Sequence, residues 1–164
     1  MPDVKERLAV AQWVLERNLA WIAAAEVKVG VIVAIDTAML GGLATAFGAS
    51  DATARTVWAC LWITSAAGTA VGGVLCAAIA ILPRVSGPLR SLLFCGRVAE
   101  LNREDYAIKF RGVTDTELLD DWVAQIHRNA EIAVMKFAWV RRSLWFSFIS
   151  VLPWVAAMAM LTKG

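Results

Sequence analysis

One carboxylate stands where hydrocarbon is expected. Asp36 lies near the middle of the apolar run AEVKVGVIVAIDTAMLGGLATAF, residues 25–47. An ionised carboxylate at the bilayer centre costs roughly 3 kcal/mol on insertion scales, so such residues face protein or water and often belong to ion paths. Two roles are open for Asp36: a protonated, hydrogen-bonded lock between helices, or an ion- or water-facing group in an assembled pore. Its candidate partners are the hydroxyls of Thr37, Thr64, Ser65 and Thr69.

A second group of polar residues borders a long apolar stripe between positions 117 and 144. At 100° per residue, the stripe carries three polar side chains along one edge and three on the opposite face. The edge group is Gln125, Asn129 and Lys136, and the opposite group is Glu117, Asp121 and Arg128. Two interpretations are open for the edge group: the solvated flank of a helix, or a polar pocket at the seam between helices.

No catalytic or metal-binding constellation is visible. The chain has no glycine-rich phosphate loop, HExxH, GxSxG or EF-hand pattern. His127 is the single histidine, and the three cysteines, Cys60, Cys76 and Cys95, lack CxxC spacing. The net charge of +2 is small and the basic residues are scattered, which does not favour nucleic acid as a partner. We therefore predict a protein without enzymatic activity, metal or cofactor.

Composition indicates an integral membrane protein. Of the 164 residues, 59% are hydrophobic and 18% charged, and the mean hydropathy is +0.62. Three apolar runs, at about 27–47, 57–82 and 144–161, each reach the roughly 20 residues needed to cross a bilayer as helix. Lys and Arg number four in residues 1–28 and ten in 83–143, against one in the connector 48–56. The positive-inside rule then places the N-terminus and the middle segment in the cytoplasm.

Local signals divide the chain into helices. Residues 3–25 form an amphipathic helix with the stripe Val4, Leu8, Ala11, Leu15, Leu19 and Ile22, continuous with the first crossing. A cytoplasmic helix is expected from Leu89 to about Phe110, ended by Gly112. The box Thr114-Asp-Thr-Glu117 should start a long helix that runs without a breaker into the third crossing, which contains Pro153.

The predicted fold is therefore an all-α integral membrane protein with four parts. These are an amphipathic cytoplasmic helix (1–26), a transmembrane hairpin (27–82, crossing at 27–47 and 57–82), a cytoplasmic helical sensor module (83–143), and a third transmembrane helix with a short tail (144–164). The small residues of the two hairpin helices predict close helix packing, within one chain or between subunits.

Two stretches resemble the transmembrane effectors of bacterial Pycsar anti-phage defence. The first is AEVKVGVIVAIDTAMLGG, similar to that family's acid-x-Lys start of the first crossing, with Glu26 and Lys28 in those positions. The second is FCGRVAELNREDY, followed by DDWVAQIHRNAEIAVMKFAWVRRSLWFSFI. Its Gln125-Ile126, Ile132-Ala133 and Lys136-Phe137 resemble the QI, IA and KY/KF signature ahead of the last crossing.

The resemblance implies an inner-membrane effector that senses cyclic CMP or cyclic UMP made by a partner nucleotide cyclase after infection. The effector, as a homo-oligomer, would then impair the membrane and cause abortive infection. A constitutive small channel or scaffold subunit remains an alternative, as does, less favoured, an intramembrane lipid-modifying enzyme.

If such a nucleotide binds, its phosphate calls for arginine, its base edge for amides and its base face for an aromatic ring. Helix geometry suggests Arg97, Arg103 and Arg128 for the phosphate, Gln125 and Asn129 for the base, and Tyr106 or Trp122 for stacking. Candidates for the membrane function are Asp36, Glu26, Lys28 and Lys136.

Overall fold

The structure is a computed structural model that describes residues 3–84 and 86–162. Within these residues it contains five α-helices and no strand. They are α1 (Val4–Ala49), α2 (Val57–Ile81), α3 (Cys95–Glu100), α4 (Arg103–Gly112) and α5 (Asp115–Leu161). Helices α1, α2 and α5 are each long and apolar enough to cross a membrane. The predicted all-α membrane fold is confirmed.

The start of α5 follows the predicted capping box. The Thr114 backbone N–H donates to Glu117 Oε2 at 2.9 Å, and the Glu117 N–H donates to Thr114 Oγ1 at 3.3 Å. Two backbone donors that no helical carbonyl can reach are thereby satisfied. Helix α4 ends at Gly112 as expected, and α5 then continues as one helix of 47 residues with Pro153 inside it.

The single helix expected from Leu89 to about Phe110 is wrong. Residues 89–94 form turns, and two short helices follow with a break at Leu101. The Ser91 hydroxyl accepts the backbone N–H groups of Leu93 and Phe94, at 3.1 and 2.9 Å. The Asn102 side chain accepts the N–H of the third residue of α4, at 2.8 Å. Ser and Asn side chains that bond to nearby backbone compete with helix in this way.

Contacts between residues group the chain into two compact units. The polar unit consists of the residues up to Ala24 together with Pro83–Met135, and the apolar unit of Ala25–Leu82 together with the residues from Lys136 onward. Helices α1 and α5 supply residues to both units. The domain limits expected from the sequence stay a prediction, because units defined by contacts need not end at a membrane surface.

In the polar unit, the N-terminal part of α1 buries Ala11 and Asn18, whereas Leu19 is 48% exposed. The predicted stripe is therefore wrong at Leu19. A spacing of 4, 3, 4, 3 and 4 residues from Val4 reaches position 18 rather than 19, and this spacing keeps one face towards its neighbours. The Asn18 amide accordingly lies 3.5 Å from the Ile126 carbonyl.

In the apolar unit, small residues of α2 lie at the helix contacts. Those buried are Ala59, Ala66, Ala70, Gly73, Cys76, Ala77 and Ala80. One apolar cluster joins Ala77 and Ala80 to Val29 of α1 and Val140 of α5, and another includes Ala66. The predicted close packing therefore occurs within one chain, where small side chains let the backbones approach.

Candidate functional site

Asp36 is completely buried in the apolar unit, with 0% of its surface exposed. Its Oδ2 accepts a hydrogen bond from the Ser147 hydroxyl of α5 at 2.7 Å. Its Oδ1 is buried as well, and no hydrogen-bond partner for it exists among the described residues. On the α2 side, the carboxylate fits into the space that Gly73 leaves, since a Cβ added there would lie 2.5 Å from Oδ2. Three helices therefore enclose one half-satisfied carboxyl group.

The partners expected for Asp36 from the sequence are wrong. The Thr64 and Thr69 hydroxyls donate to carbonyls of their own helix, to Cys60 O at 2.8 Å and to Ser65 O at 2.7 Å. Such bonds to the preceding turn are common for Ser and Thr in membrane helices, and they leave no proton for another chain segment. Thr37 and Ser65 are exposed.

Four polar side chains recur along helix α5, and one of them, Ser147, bonds to Asp36. We call Lys136, Ser143, Ser147 and Ser150 the polar file. Ser143 donates to Gly73 O at 2.8 Å, and Ser150 donates to Ser147 O at 2.7 Å. Lys136 forms an ion pair with Glu26 of α1. The four predicted membrane-function residues all belong to the apolar unit. Asp36 and Lys136 are buried, Glu26 is exposed but paired with Lys136, and Lys28 is exposed.

The polar unit contains a groove of about 730 Å³ between the segment 88–92, helices α3 and α4, and the first turns of α5. This cavity is called the groove from here on, and its lining carries charges of both signs. The charged lining residues are Arg90, Arg97, Lys109, Glu100, Glu117, Asp120 and Asp121. Of the nucleotide-binding residues predicted from the sequence, Arg97 alone lines it.

Several of these charges are already engaged. Arg97 binds both carboxylate oxygens of Glu100, at 3.0 and 2.7 Å, and the Leu92 N–H donates to Asp121 Oδ2 at 2.7 Å. Glu117 is held by the backbone N–H and the hydroxyl of Thr114, and these bonds lower the pKa of its carboxyl. Arg90, Lys109 and Asp120 remain exposed at the groove.

Three predicted nucleotide-binding side chains are engaged inside the polar unit. Gln125 is buried and its amide donates to the Ser91 hydroxyl at 2.7 Å. The Tyr106 hydroxyl donates to the Leu92 carbonyl at 3.1 Å, and the Asn129 amide donates to the Gln125 carbonyl at 2.9 Å. The Gln125 and Tyr106 contacts fix the segment 88–92 against α5 and α4, whereas the Asn129 bond lies within α5.

The other three predicted residues lie apart from the groove lining. Arg128 donates to the Ser86 carbonyl and hydroxyl at 2.9 and 2.6 Å. Arg103 is an exposed residue at the start of α4, and Trp122 is half-buried on α5. The structure thus brings Arg97 to the groove and distributes the remaining predicted residues around it.

Asp121 and Gln125 were expected on opposite faces of α5, and this is wrong. Asp121 accepts the N–H of Leu92, and Gln125 reaches Ser91, so both side chains contact adjacent residues. Residues four apart on a helix are neighbours on the same face.

Sequence reasoning missed two serines on which these contacts depend. Ser91 accepts from two backbone N–H groups and from Gln125. Serine is a turn-forming residue because its hydroxyl bonds to the backbone a few residues further on. Ser147 lies four residues after Ser143 and three before Ser150, a spacing that predicts one polar face inside an apolar helix.

No group of three or more His, Cys, Asp or Glu side chains that could hold a metal ion occurs in the described part of the chain. The thiols of Cys60 and Cys95 are exposed and that of Cys76 is buried, each without a disulfide bond.

Comparison with known proteins places these observations in a family. Residues 10–163 match the family described as PycTM, Pycsar effector protein domain. A curated relative, the Pycsar effector protein PtPycTM of Propioniciclava tarda, is 29% identical over 133 residues, which are 76% of this chain and 65% of that protein. The chain thus spans about two thirds of the relative's length. No solved structure matches. Since the family match covers nearly the whole chain, including all three membrane-crossing helices, this protein belongs to the Pycsar effector family as a membrane-spanning member.

Proposed function

We propose that this chain senses cyclic CMP or cyclic UMP and in response impairs the bacterial inner membrane, which stops phage replication by abortive infection. The observation that carries the proposal is the family match over residues 10–163, which includes both compact units. The nucleotide would come from a partner cyclase, and the effector itself would catalyse no reaction. The polar unit would face the cytoplasm, where such a nucleotide is made.

The groove is the proposed nucleotide site. Ligand pockets commonly measure about 300–1,000 Å³, so its volume suits a mononucleotide. A cyclic phosphate carries one negative charge, which arginine and lysine recognise through charge-assisted hydrogen bonds. Arg97, Arg90 and Lys109 supply that charge at the lining, which also carries four carboxylates. The bond between Arg97 and Glu100 holds one guanidinium in place, so the phosphate has to compete with Glu100 for it.

Ligand binding changes a membrane protein only as far as it favours one arrangement over another. Helices α1 and α5 each supply residues to the polar unit and to the apolar unit. A nucleotide that binds one arrangement of the polar unit more tightly would therefore also bias these two helices. Because small residues pack the three crossings closely together, we propose that a membrane passage needs several copies of the chain.

Calorimetric titration of the detergent-solubilised protein tests the sensor proposal. Cyclic CMP, cyclic UMP and, as a control, cyclic AMP are titrated separately. We expect saturable binding of a pyrimidine nucleotide alone. Failure of a well-folded sample to bind either pyrimidine nucleotide would refute the proposal, and a membrane leak independent of nucleotide would favour a constitutive channel.

Two variants locate the site. Arg97→Ala combined with Lys109→Ala should weaken binding by roughly tenfold or more, because a hydrogen bond to a charged group contributes about 1.5–3 kcal/mol. Arg103→Ala is the matched control, since Arg103 is exposed on α4 and does not line the groove. A larger effect of the control than of the double variant would place the nucleotide elsewhere.

A further inference from the structure

We propose that Asp36 makes the membrane passage of this effector selective for cations. The inference rests on the proposed function, since it specifies how the membrane is impaired. In the resting arrangement, Asp36 is enclosed by α1, α2 and α5. When these helices separate, the same carboxylate would face water in the passage and set the sign of the ions that cross.

The resting contacts satisfy only one of the two carboxyl oxygens of Asp36. Its Oδ2 is bonded to Ser147, but its Oδ1 is buried without a partner among the described residues. Leaving a buried polar atom unpaired costs about 1–3 kcal/mol. A second arrangement, in which water or a cation reaches this oxygen, would recover that loss.

The residues next to Asp36 could line such a passage. The polar file runs from Lys136 to Ser150, 14 residues that rise about 21 Å along α5, which is most of a hydrocarbon core about 30 Å thick. Each hydroxyl of the file bonds at rest to protein oxygen, at Gly73, Asp36 or Ser147. These hydroxyls would bond to water equally well once the helices separate.

Asp36 would also dominate the electrostatics of the passage. In the apolar stretches 29–49, 57–81 and 143–161 it is the one acidic or basic side chain in the sequence. At one end of the polar file, the Lys136 ammonium is balanced by the Glu26 carboxylate. Copies of Asp36 from several chains would form a ring of carboxylates, the arrangement by which cation channels select their ions.

Ion flux through vesicles that contain the purified full chain tests this inference. The reversal potential is measured across a KCl gradient after addition of the cyclic pyrimidine nucleotide that binds. We expect K⁺ to be favoured over Cl⁻ in the unaltered protein. Asp36→Asn, which keeps the size of the side chain, should lose this preference while nucleotide binding is unchanged. Thr37→Ala, an exposed neighbour, is the control and should keep the preference.

A second arm does not depend on nucleotide. Gly73→Leu places a large side chain where even a Cβ would lie 2.5 Å from the Asp36 carboxylate, so it should push α2 away and open a K⁺-selective leak. Adding Asp36→Asn to this variant should abolish the selectivity.

The outcomes distinguish the two proposals. If nucleotide binds, three results overturn the role of Asp36 and leave the sensor intact. These are a leak that passes K⁺ and Cl⁻ equally, a K⁺ preference that survives Asp36→Asn, and the absence of ion flux. A selective leak in Gly73→Leu that is lost when Asp36→Asn is added supports the role of Asp36. If, in addition, neither the unaltered protein nor any variant binds nucleotide, the sensor is refuted.

Discussion

Gly73→Ala should destabilise the apolar unit, because the position has no room for a methyl group. The added Cβ would lie 2.5 Å from Asp36 Oδ2 and 3.1 Å from Ser147 Oγ, and Asp36 is completely buried. Overpacking of this kind costs typically about 1–3 kcal/mol. If the Ser147–Asp36 hydrogen bond also breaks, about 1 kcal/mol is added. The expected fall in unfolding free energy is thus roughly 2–4 kcal/mol.

Thermal unfolding in detergent, followed by circular dichroism, measures the effect. At about 2–4 °C per kcal/mol, the melting temperature should fall by at least about 4 °C. Gly68→Ala is the matched control on the same helix, because no atom lies within 4 Å of the added Cβ. Alanine favours helix over glycine by about 1 kcal/mol, so this control should melt no lower than the unaltered protein.

A double variant isolates the cause. Asp36→Ala removes the carboxylate that the new methyl group of Gly73→Ala would strike. The two changes together should cost at least about 1 kcal/mol less than the sum of the single changes, since contacting residues are not additive. Additive effects, or a Gly73→Ala protein as stable as the Gly68→Ala control, would refute the close approach of these residues.

Three further predictions concern single contacts. Glu26→Ala should lower the unfolding free energy by about 1–2 kcal/mol more than Lys136→Ala does. Glu26→Ala leaves the Lys136 side chain, which is 8% exposed, unpaired, whereas Lys136→Ala leaves the Glu26 side chain, which is 45% exposed; melting curves compare the two. The bonds from Thr114 lower the pKa of Glu117, so this cap stabilises fully above the unfolded pKa and is lost as pH falls through the folded pKa. Hydrogen exchange at the Thr114 amide should report that loss, and a Glu117→Gln protein should lack it. Gln125→Ala should reduce the unfolding free energy by about 1–3 kcal/mol, since a buried hydrogen bond is removed; an unchanged melting curve would contradict this.

The start of α5 and the end of α4 were predictable because their signals are local. The Thr114 box and the end of α4 at Gly112 follow from a few adjacent residues whose side chains satisfy backbone groups or stop the helix. The break between α3 and α4 was missed, although Asn102 is a strong capping residue, because apolar periodicity was given more weight. The turn at Ser91 depends in addition on Gln125, which is 34 residues away and cannot be paired with it from one sequence.

It was predictable that Asp36 avoids lipid, but neither its burial nor its partner was. A carboxylate in an apolar run must face protein or water, whichever helix it meets. Hydroxyls occur in all three crossing helices, and those expected as partners, Thr37 of α1 and three hydroxyls of α2, lie on the helices rich in small residues. Two of them bond to their own backbone, whereas Ser147 points to Asp36. Spacing on α5 was the better guide, because Ser143, Ser147 and Ser150 recur on one face of the helix, and two of them bond across to α1 or α2.

The position of Gln125 also decides which experiments can separate sensing from folding. Loss of response in a Gln125→Ala, Asn129→Ala double variant would be ambiguous, because both amides bond within the polar unit and Gln125 is buried. Removing Gln125 would disturb the segment 88–92, which forms one wall of the groove, and removing Asn129 would change a bond within α5, whether or not a nucleotide touches either residue. Lys109 is exposed at the groove, and the bond of Arg97 to Glu100 is a contact of the kind that contributes at most about 1 kcal/mol to stability. A protein that melts normally but no longer binds nucleotide is therefore expected from changes at Lys109 and Arg97, and these positions test the sensor.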